Sequence, residues 1–243
     1  MMIAVGLSDI GLVREINQDS FFVSNDENFP LFIVADGMGG HNAGEIASSM
    51  AVDSAKEVFF LNKENLCLEK SIISTMKNAV EVANTRIYNK SLEETKYAGM
   101  GTTLTMAYIF EDSIYIGHVG DSRAYYITDK KILQITEDHS LVNELIKNGS
   151  ITAAEGKNHP QRNLITRAVG TSRDIKMDIY IEKYSKEHKL MMCSDGLTGM
   201  VPEDEIFKII NNNKDIILIS KELIHTARNN GGFDNITVVI IKF

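Results

Sequence analysis

One apolar run that ends in a carboxylate and a glycine-rich turn constrains this chain more than any other segment. Residues 31–35 read Leu-Phe-Ile-Val-Ala, and this short run of branched and aromatic side chains predicts a strand buried on both faces. Asp36 ends the run, and three of the next four residues are glycines, which allow a sharp turn and a close backbone approach. A carboxylate beside bare backbone carbonyls suits a hard cation, although a tight Asp-Gly turn would explain this segment equally well.

The composition narrows the class of protein. The chain has 243 residues, of which 44% are apolar, and we expect one domain spanning residues 1–243. A formal net charge of −8 argues against a nucleic-acid partner, and no apolar run reaches the roughly 20 residues that membrane insertion requires. Residues 1–6 lack the layout of a signal peptide. Cys67 and Cys193 are far apart and belong to no CxxC motif, so reduced thiols and a cytoplasmic location are expected.

Helical and strand-like patterns occur in blocks rather than in alternation, which predicts an α+β fold. Residues 43–60 and 64–94 have helical spacing, whereas four strand-like segments between 102 and 136 indicate an antiparallel meander. The polar segment 148–162 is expected to be a mobile surface loop. Strands at both ends of the chain should share one sheet, and two sheets packed face to face with helices outside would bury them.

Several aspartates occupy the same kind of position, next to the end of an apolar strand. Four of them are Asp36, Asp121, Asp195 and Asp234, and Asp19 directly precedes the second predicted strand. If these strand ends converge, the carboxylates meet in one cleft between the sheets. Such a cluster would raise the pKa values of its own members, and bound divalent cations would remove that cost.

The donor types in this cluster predict a particular metal chemistry. Ligation by oxygen alone favours Mg²⁺ or Mn²⁺ over zinc, and two such ions about 3.5–4 Å apart activate water for attack on phosphorus. Arg14 adds a bidentate donor for phosphate oxygens. Each residue also has a simpler interpretation, because Arg14 could be a surface side chain and Asp121 or Asp234 could belong to ordinary turns.

The sequence also resembles a known family. Eight blocks follow, in order, the pattern of the metal-dependent serine/threonine phosphatases of the PPM type, also called protein phosphatase 2C, in their short prokaryotic form. The blocks are GLVREINQD (11–19), VADGMGGH (34–41), GTT (101–103), GDSR (120–123), TEDHS (136–140), ITRAVG (165–170), SDG (194–196) and DNIT (234–237). They cover almost the whole chain, and eight ordered blocks are far more specific than one Asp-Gly pair.

The resemblance implies a four-layer αββα sandwich of two antiparallel sheets flanked by helices. It implies that Asp36 bridges two core ions, with the Gly37 carbonyl ligating the first and Asp195 and Asp234 completing the second. Asp121, together with Asp195, would hold a weaker third ion.

The resemblance assigns supporting roles as well. Arg14 would bind the substrate phosphate, Asp19 would orient metal-bound water, and Asn235 would support the ligands without coordinating an ion. Residues 148–162 match a variable flap beside the cleft. The implied reaction is hydrolysis of phosphoserine and phosphothreonine monoesters by a metal-activated water without a phosphoenzyme.

The general acid is left unassigned. Some animal relatives carry a histidine directly after the Asp-Gly pair, whereas this chain has Met38, which cannot donate a proton. His41 and His159 are alternatives, although a structural role for the first and a solvated one for the second explain them as well. Metal-bound water could also serve.

The expected partners are phosphorylated proteins and a eukaryotic-type serine/threonine kinase that shares them, and the chain is expected to be a monomer. One alternative is a catalytically weak phosphoprotein-binding or regulatory module of the same fold. A phosphatase dedicated to a sporulation-type switch is a second alternative. No metal aspartate of the family pattern is missing, which favours the enzyme.

Overall fold

The computed structural model describes residues 2–39 and 43–243, which form two antiparallel sheets and helices. The strands are β1 (Ile3–Asp9), β2 (Asp19–Val23), β3 (Leu31–Met38), β4 (Gly101–Thr102), β5 (Leu104–Phe110), β6 (Ser113–Val119), β7 (Arg123–Ile127), β8 (Ile132–Gln134), β9 (Asp178–Lys183), β10 (Lys189–Cys193) and β11 (Ile236–Lys242). The helices are α1 (Gly44–Leu61), α2 (Glu69–Glu93), α3 (Leu141–Lys147), α4 (Ala153–Lys157), α5 (Asp195–Thr198), α6 (Glu203–Asn212) and α7 (Ile216–Asn229).

The two sheets divide the chain in a way that joins its two ends. One sheet has the order β1-β11-β10-β7-β8, and the other has the order β2-β3-β5-β6-β9, with β4 added beside β3. The pairing of β1 with β11 runs from Ile3 opposite Lys242 to Asp9 opposite Ile236. The prediction that the first and last strands share a sheet is therefore confirmed.

Strand β3 is buried on both faces, as its composition predicts. Leu31 and Ile33 pack with the apolar faces of α1 and α2, whereas Phe32 and Val34 point the other way, into the layer between the sheets. This alternation follows from the two-residue period of a strand. All four side chains are fully buried.

Strand β11 is the counterpart of β3 in the other sheet. Val239 and Ile241 face the layer between the sheets, and Val238 and Ile240 pack against the α6 and α7 side. The order of layers is thus helices, sheet, sheet, helices. The α+β class and the four-layer αββα sandwich are confirmed.

Strand β3 does not end at the carboxylate, as the sequence suggested. It continues to Met38, because Gly37 and Met38 pair with Thr102 and Gly101 of the short strand β4. Glycine is allowed in a strand where another backbone approaches closely, and here it does not end the strand.

The predicted meander is wrong as a single sheet. β5 and β6 form one hairpin and β7 and β8 form another, but the two hairpins lie in different sheets. The chain crosses between the sheets at residues 120–122, where Gly120 takes a φ of +111° that other residues rarely adopt. Alternating burial can predict each strand, but it does not show which sheet a strand joins.

The segment 148–162 is not wholly a loop. It contains α4, whose first turn is closed by a capping box in which Thr152 and Glu155 exchange hydrogen bonds. The short helix α5, directly after β10, was also not predicted. The mobility of residues 148–162 and their role as a flap stay predictions.

The layer between the sheets should carry much of the stability. We expect Leu190→Ala, in β10, to lower the free energy of unfolding by about 2–5 kcal/mol, because Leu190 is fully buried between the sheets. Leu92→Ala, at an exposed position of α2, is the matched control and should change it by less than about 0.5 kcal/mol. Urea unfolding measures both, and equal effects would contradict this description of the core.

Candidate active site

Five carboxylates meet where strands from both sheets end. Asp19 and Asp36 lie directly opposite each other in the β2–β3 pair, so their side chains leave the same face of the sheet. Asp121 lies in the crossing after β6, Asp195 is the first residue of α5 directly after β10, and Asp234 shortly precedes β11. The structure therefore brings together the aspartates that the sequence placed at strand ends.

The electrostatics of Asp36 show how closely this cluster is packed. Burial raises the pKa of Asp36 well above its usual range, and the charges of Asp19, Asp195, Asp121 and Asp234 raise it further. Every other member of the cluster thus disfavours ionisation of Asp36. This is the electrostatic signature expected of several like charges in one cleft.

Burial also raises the pKa values of three other members of the cluster. It raises the pKa of Asp19 to about 7, against the opposing effect of a 2.7 Å hydrogen bond donated by the Ser194 hydroxyl. Burial is also the largest cause of the raised pKa values of Asp121 and Asp195. One oxygen of Asp19 and one of Asp121, the Oδ1 atom in each, are buried without a hydrogen-bond partner. Such unpaired buried acceptors are costly and call for a ligand.

The donor set fits hard divalent cations. All the acidic groups of the cluster offer oxygen, and the unpaired Oδ1 atoms of Asp19 and Asp121 could accept a cation or the water that it carries. Across residues 2–39 and 43–243, however, no three carboxylate, imidazole or thiolate groups already surround a common point at which an ion would fit. Both oxygens of Asp234 are engaged, one by Arg14 and one by the Asn235 backbone N–H. Each of these oxygens keeps a further lone pair, so Asp234 can accept both hydrogen bonds and still ligate a cation.

Arg14 lies at the mouth of the cluster. Its Nη2 donates to Oδ2 of Asp234 at 2.8 Å, and half of its side chain is exposed. This hydrogen bond, with further contributions from the charges of Asp36 and Asp195, raises the pKa of Arg14. Arg14 is a fixed positive charge at the mouth, where an anion can reach it.

Asn235 fixes the arginine loop, which is the segment 10–18 that carries Arg14. Its Oδ1 accepts from the backbone N–H of Gln18 at 2.8 Å, and its Nδ2 donates to the carbonyls of Ile10 and Ile16, both at 3.0 Å. All the bonds lead to residues 10–18, and the side chain is buried. The Asn235 side chain therefore positions the arginine loop, and only its backbone N–H contacts a carboxylate, that of Asp234.

Gly37 has no room for a side chain. A Cβ atom placed there would lie 2.0 Å from the carbonyl oxygen of Gly44 and 2.6 Å from that of Gln18. Its backbone N–H donates to the Gln18 carbonyl at 3.0 Å. The end of β3 is thereby held against the start of α1 and against the arginine loop.

Two hydroxyl residues that sequence reasoning gave no role connect Asp36 with Asp121. The backbone N–H of Asp36 donates to the Thr103 hydroxyl at 2.8 Å, and that hydroxyl lies 2.7 Å from the Ser122 hydroxyl. Both residues belong to sequence blocks of the resemblance, which was the only signal that could have found them. They join the strand end of Asp36 to the crossing that carries Asp121.

A histidine supports the same crossing from the other side. Nδ1 of His139 accepts from the backbone N–H of Gly120 at 3.0 Å, so its Nε2 carries the proton and donates to Asp178 at 3.0 Å. Asp178 also accepts from Arg167 at 2.9 Å. His139 is therefore a structural support for the backbone next to Asp121.

The structure leaves the general acid unassigned. Met38 occupies the position after the Asp-Gly pair, at the end of β3, and its thioether has no proton to donate. His41 lies outside the described residues. His159 accepts a hydrogen bond from the backbone N–H of Gln161, which is a local turn contact.

Comparison with known proteins gives one consistent result. The sequence profile of protein phosphatase 2C matches residues 13–216. The serine/threonine phosphatase stp of Listeria monocytogenes is 37% identical over 97% of this chain and 93% of its own length. The crystal structure of the serine/threonine phosphatase Stp1 from Staphylococcus aureus superposes with a TM-score of 0.93 at 37% identity, covering 100% of this chain and 95% of that one.

A further similar structure contains metal. It is the catalytic domain of the serine threonine protein phosphatase PstP in complex with two manganese ions, with a TM-score of 0.86 at 30% identity. The similarity covers 99% of this chain and 97% of that one.

When cations are removed with EDTA, the cluster should make the stability of the protein depend on pH. Because the pKa of Asp19 is raised from 3.8 to about 7, the folded protein holds a proton that the unfolded chain loses. In EDTA, the free energy of unfolding should therefore decrease as pH rises from about 4 to 7. Added Mn²⁺ should raise the melting temperature more at neutral than at acidic pH, because cations bind the ionised carboxylates.

Thermal unfolding across this pH range, with EDTA or Mn²⁺, measures both effects. Asp19→Asn is the control variant and should reduce the pH dependence in EDTA. A Mn²⁺ effect that is the same at pH 5 and pH 7 would contradict the proposed link between proton and cation.

Proposed function

The chain belongs to the protein phosphatase 2C family of metal-dependent serine/threonine phosphatases, and we propose that it hydrolyses phosphoserine and phosphothreonine monoesters in proteins. The carboxylate cluster would be the catalytic site. The observation that carries this proposal is the convergence of five acidic side chains from both sheets, two of them with unpaired buried oxygens, beside a half-exposed arginine.

Specific residues would hold the cations. Asp36 would bridge two ions of Mn²⁺ or Mg²⁺, with the Gly37 carbonyl on the first and Asp195 and Asp234 on the second. Asp121 would contribute to a weaker third site. Ions held there would lower the pKa of a water and would thereby supply a nucleophile for phosphorus.

The protein's own groups would bind and orient the substrate. Arg14 would donate to the phosphate oxygens from the mouth of the cluster, where its exposed guanidinium can meet a dianion. Asn235 would hold the arginine loop in place for this contact. Asp19, which shares a face with Asp36, would orient the attacking water.

A covalent phosphoenzyme has no support in this chain. Cys193 is buried in the core, and burial raises the pKa of its thiol to about 12. Cys67 is exposed, but neither cysteine lies in the CX₅R loop of cysteine phosphatases. Direct attack by water is the route that the residues favour.

The proposal extends to the location, the substrates and the kinase partner of the protein. No helix of residues 2–39 and 43–243 has the length and apolar character needed to cross a bilayer. We propose that the substrates are phosphorylated proteins in the cytoplasm and that a eukaryotic-type serine/threonine kinase supplies them. We also propose that residues 1–243 act as one monomeric domain, with residues 148–162 as its flap.

Asp36→Asn tests the metal assignment. We expect kcat/KM for a phosphothreonine peptide in Mn²⁺ to fall about a thousandfold, or about 4 kcal/mol, because the amide removes the shared anionic ligand. Asp53→Asn, on the exposed face of α1, is the control and should keep wild-type activity. Near-wild-type turnover by Asp36→Asn would refute the assignment, and the absence of Mn²⁺-dependent hydrolysis in the wild type would refute the function.

Arg14→Ala tests the phosphate contact. Loss of a charged bidentate donor should raise KM about 10- to 100-fold, with a smaller effect on kcat. Arg86→Ala removes an exposed arginine paired with Glu57, far from the cluster in sequence, and should leave both constants unchanged. Steady-state kinetics measure both constants. A loss confined to kcat would show that Arg14 stabilises the transition state instead of binding the ground-state phosphate.

A further inference from the structure

A groove of about 580 Å³ lies between the start of the arginine loop and α7. Apolar side chains line part of it, namely Leu7, Leu12 and Ile224. Lys221, on α7, and the Asp9–Arg228 ion pair provide charge. The carboxylate cluster uses none of these residues.

The apolar surface continues from the groove toward Arg14. The exposed fractions of Leu12 and Val13 are 58% and 60%, and that of Phe233, next to Asp234, is 61%. Exposed large apolar side chains that cluster beside a catalytic centre are typical of a binding surface. Val13 directly precedes Arg14, Phe233 directly precedes Asp234, and Leu12 is one residue further from Arg14, so the surface borders the mouth of the cluster.

Close backbone contacts connect the groove with the carboxylate cluster. The backbone N–H of Leu12 donates to the Gly232 carbonyl at 2.8 Å, and a Cβ atom at Gly11 would lie 2.3 Å from the Asp234 carbonyl. Arg228 holds the preceding turn through both oxygens of Asp9, at 2.9 and 2.7 Å. Since Leu12 is two residues from Arg14, an extended peptide would span the distance within about three residues.

The charge of the groove indicates what it accepts. The formal net charge of the chain is −8, which would repel an acidic protein segment from most of the surface. In the groove, Asp9 balances Arg228, and Lys221 leaves one positive charge in excess. Lys221 is therefore the positive charge that the groove offers to an acidic side chain, beside an apolar surface.

We propose that this groove binds the substrate segment next to the phosphorylated residue, and that it selects an apolar side chain accompanied by an acidic one. The apolar side chain would lie against Leu12 and Ile224, and the acidic one would meet Lys221. This inference rests on the proposed function, because it assigns the substrate preference of the same site.

Two phosphothreonine peptides test it. One has leucine within three residues of the phosphothreonine and glutamate about three residues further out, because Lys221 lies two turns of α7, about 10 Å, beyond Arg228. The other has serine and lysine at those two positions. The wild type should prefer the first by about tenfold in kcat/KM, mainly through KM. Lys221→Glu should reduce kcat/KM for the first peptide about fivefold and should raise kcat/KM for the second. Leu12→Ser should remove the preference for leucine.

Lys77→Glu, exposed on α2, is the matched control with the same change of charge and should retain the wild-type preference. Hydrolysis of p-nitrophenyl phosphate, which has no flanking residues, measures the site alone. Loss of that activity in Lys221→Glu would overturn the docking role. Equal use of both peptides by the wild type would also overturn it, but that result would leave the proposed phosphatase function unaffected. A wild type that hydrolyses p-nitrophenyl phosphate but neither peptide would refute the protein phosphatase function itself.

Self-association is measured separately by sedimentation velocity. A wild-type dimer that Lys221→Glu dissociates would show that the groove holds a second copy of the chain, and this would overturn the proposal.

Discussion

The electrostatic repulsion among the acidic side chains at one edge of the two sheets is the main energetic cost that this fold must offset. Asp19 and Asp36 face each other across adjacent strands, an arrangement that is unfavourable when both are ionised. Burial adds to the cost, and it raises the pKa values of both residues. Arg14 provides partial compensation by engaging Asp234. A fold that keeps such a cluster must recover the energy elsewhere, and three apolar layers do so here.

Local sequence was sufficient for the features that depend on local pattern. The run at residues 31–35 predicted a strand with two buried faces because every position is apolar, and alternate residues do face two different layers. The recurring strand-then-aspartate order also predicted the cluster. That prediction succeeded because antiparallel strands end at the edges of their sheets, where polar side chains can gather without disrupting the core.

Features that depend on distant partners could not be predicted in this way. Nothing in the strand pattern shows that the chain changes sheets at Gly120, because either sheet offers β7 an apolar surface. The role of Asn235 depends on Ile10, 225 positions away, and the link between Thr103 and Ser122 depends on the same crossing. The capping box of Thr152 was visible in the sequence, but the surrounding polar residues concealed the short helix.

The pairing of β1 with β11 has a consequence for biosynthesis. Strand β1 can complete its hydrogen bonds only after β11 has emerged from the ribosome, because Ile3 pairs with Lys242. Contacts that are so distant in sequence slow folding. Asn235, which anchors the arginine loop, is also translated long after that loop. A nascent chain that has not yet reached β11 therefore carries Asp19, Asp36, Asp121 and Asp195 before it can hold them in their final arrangement.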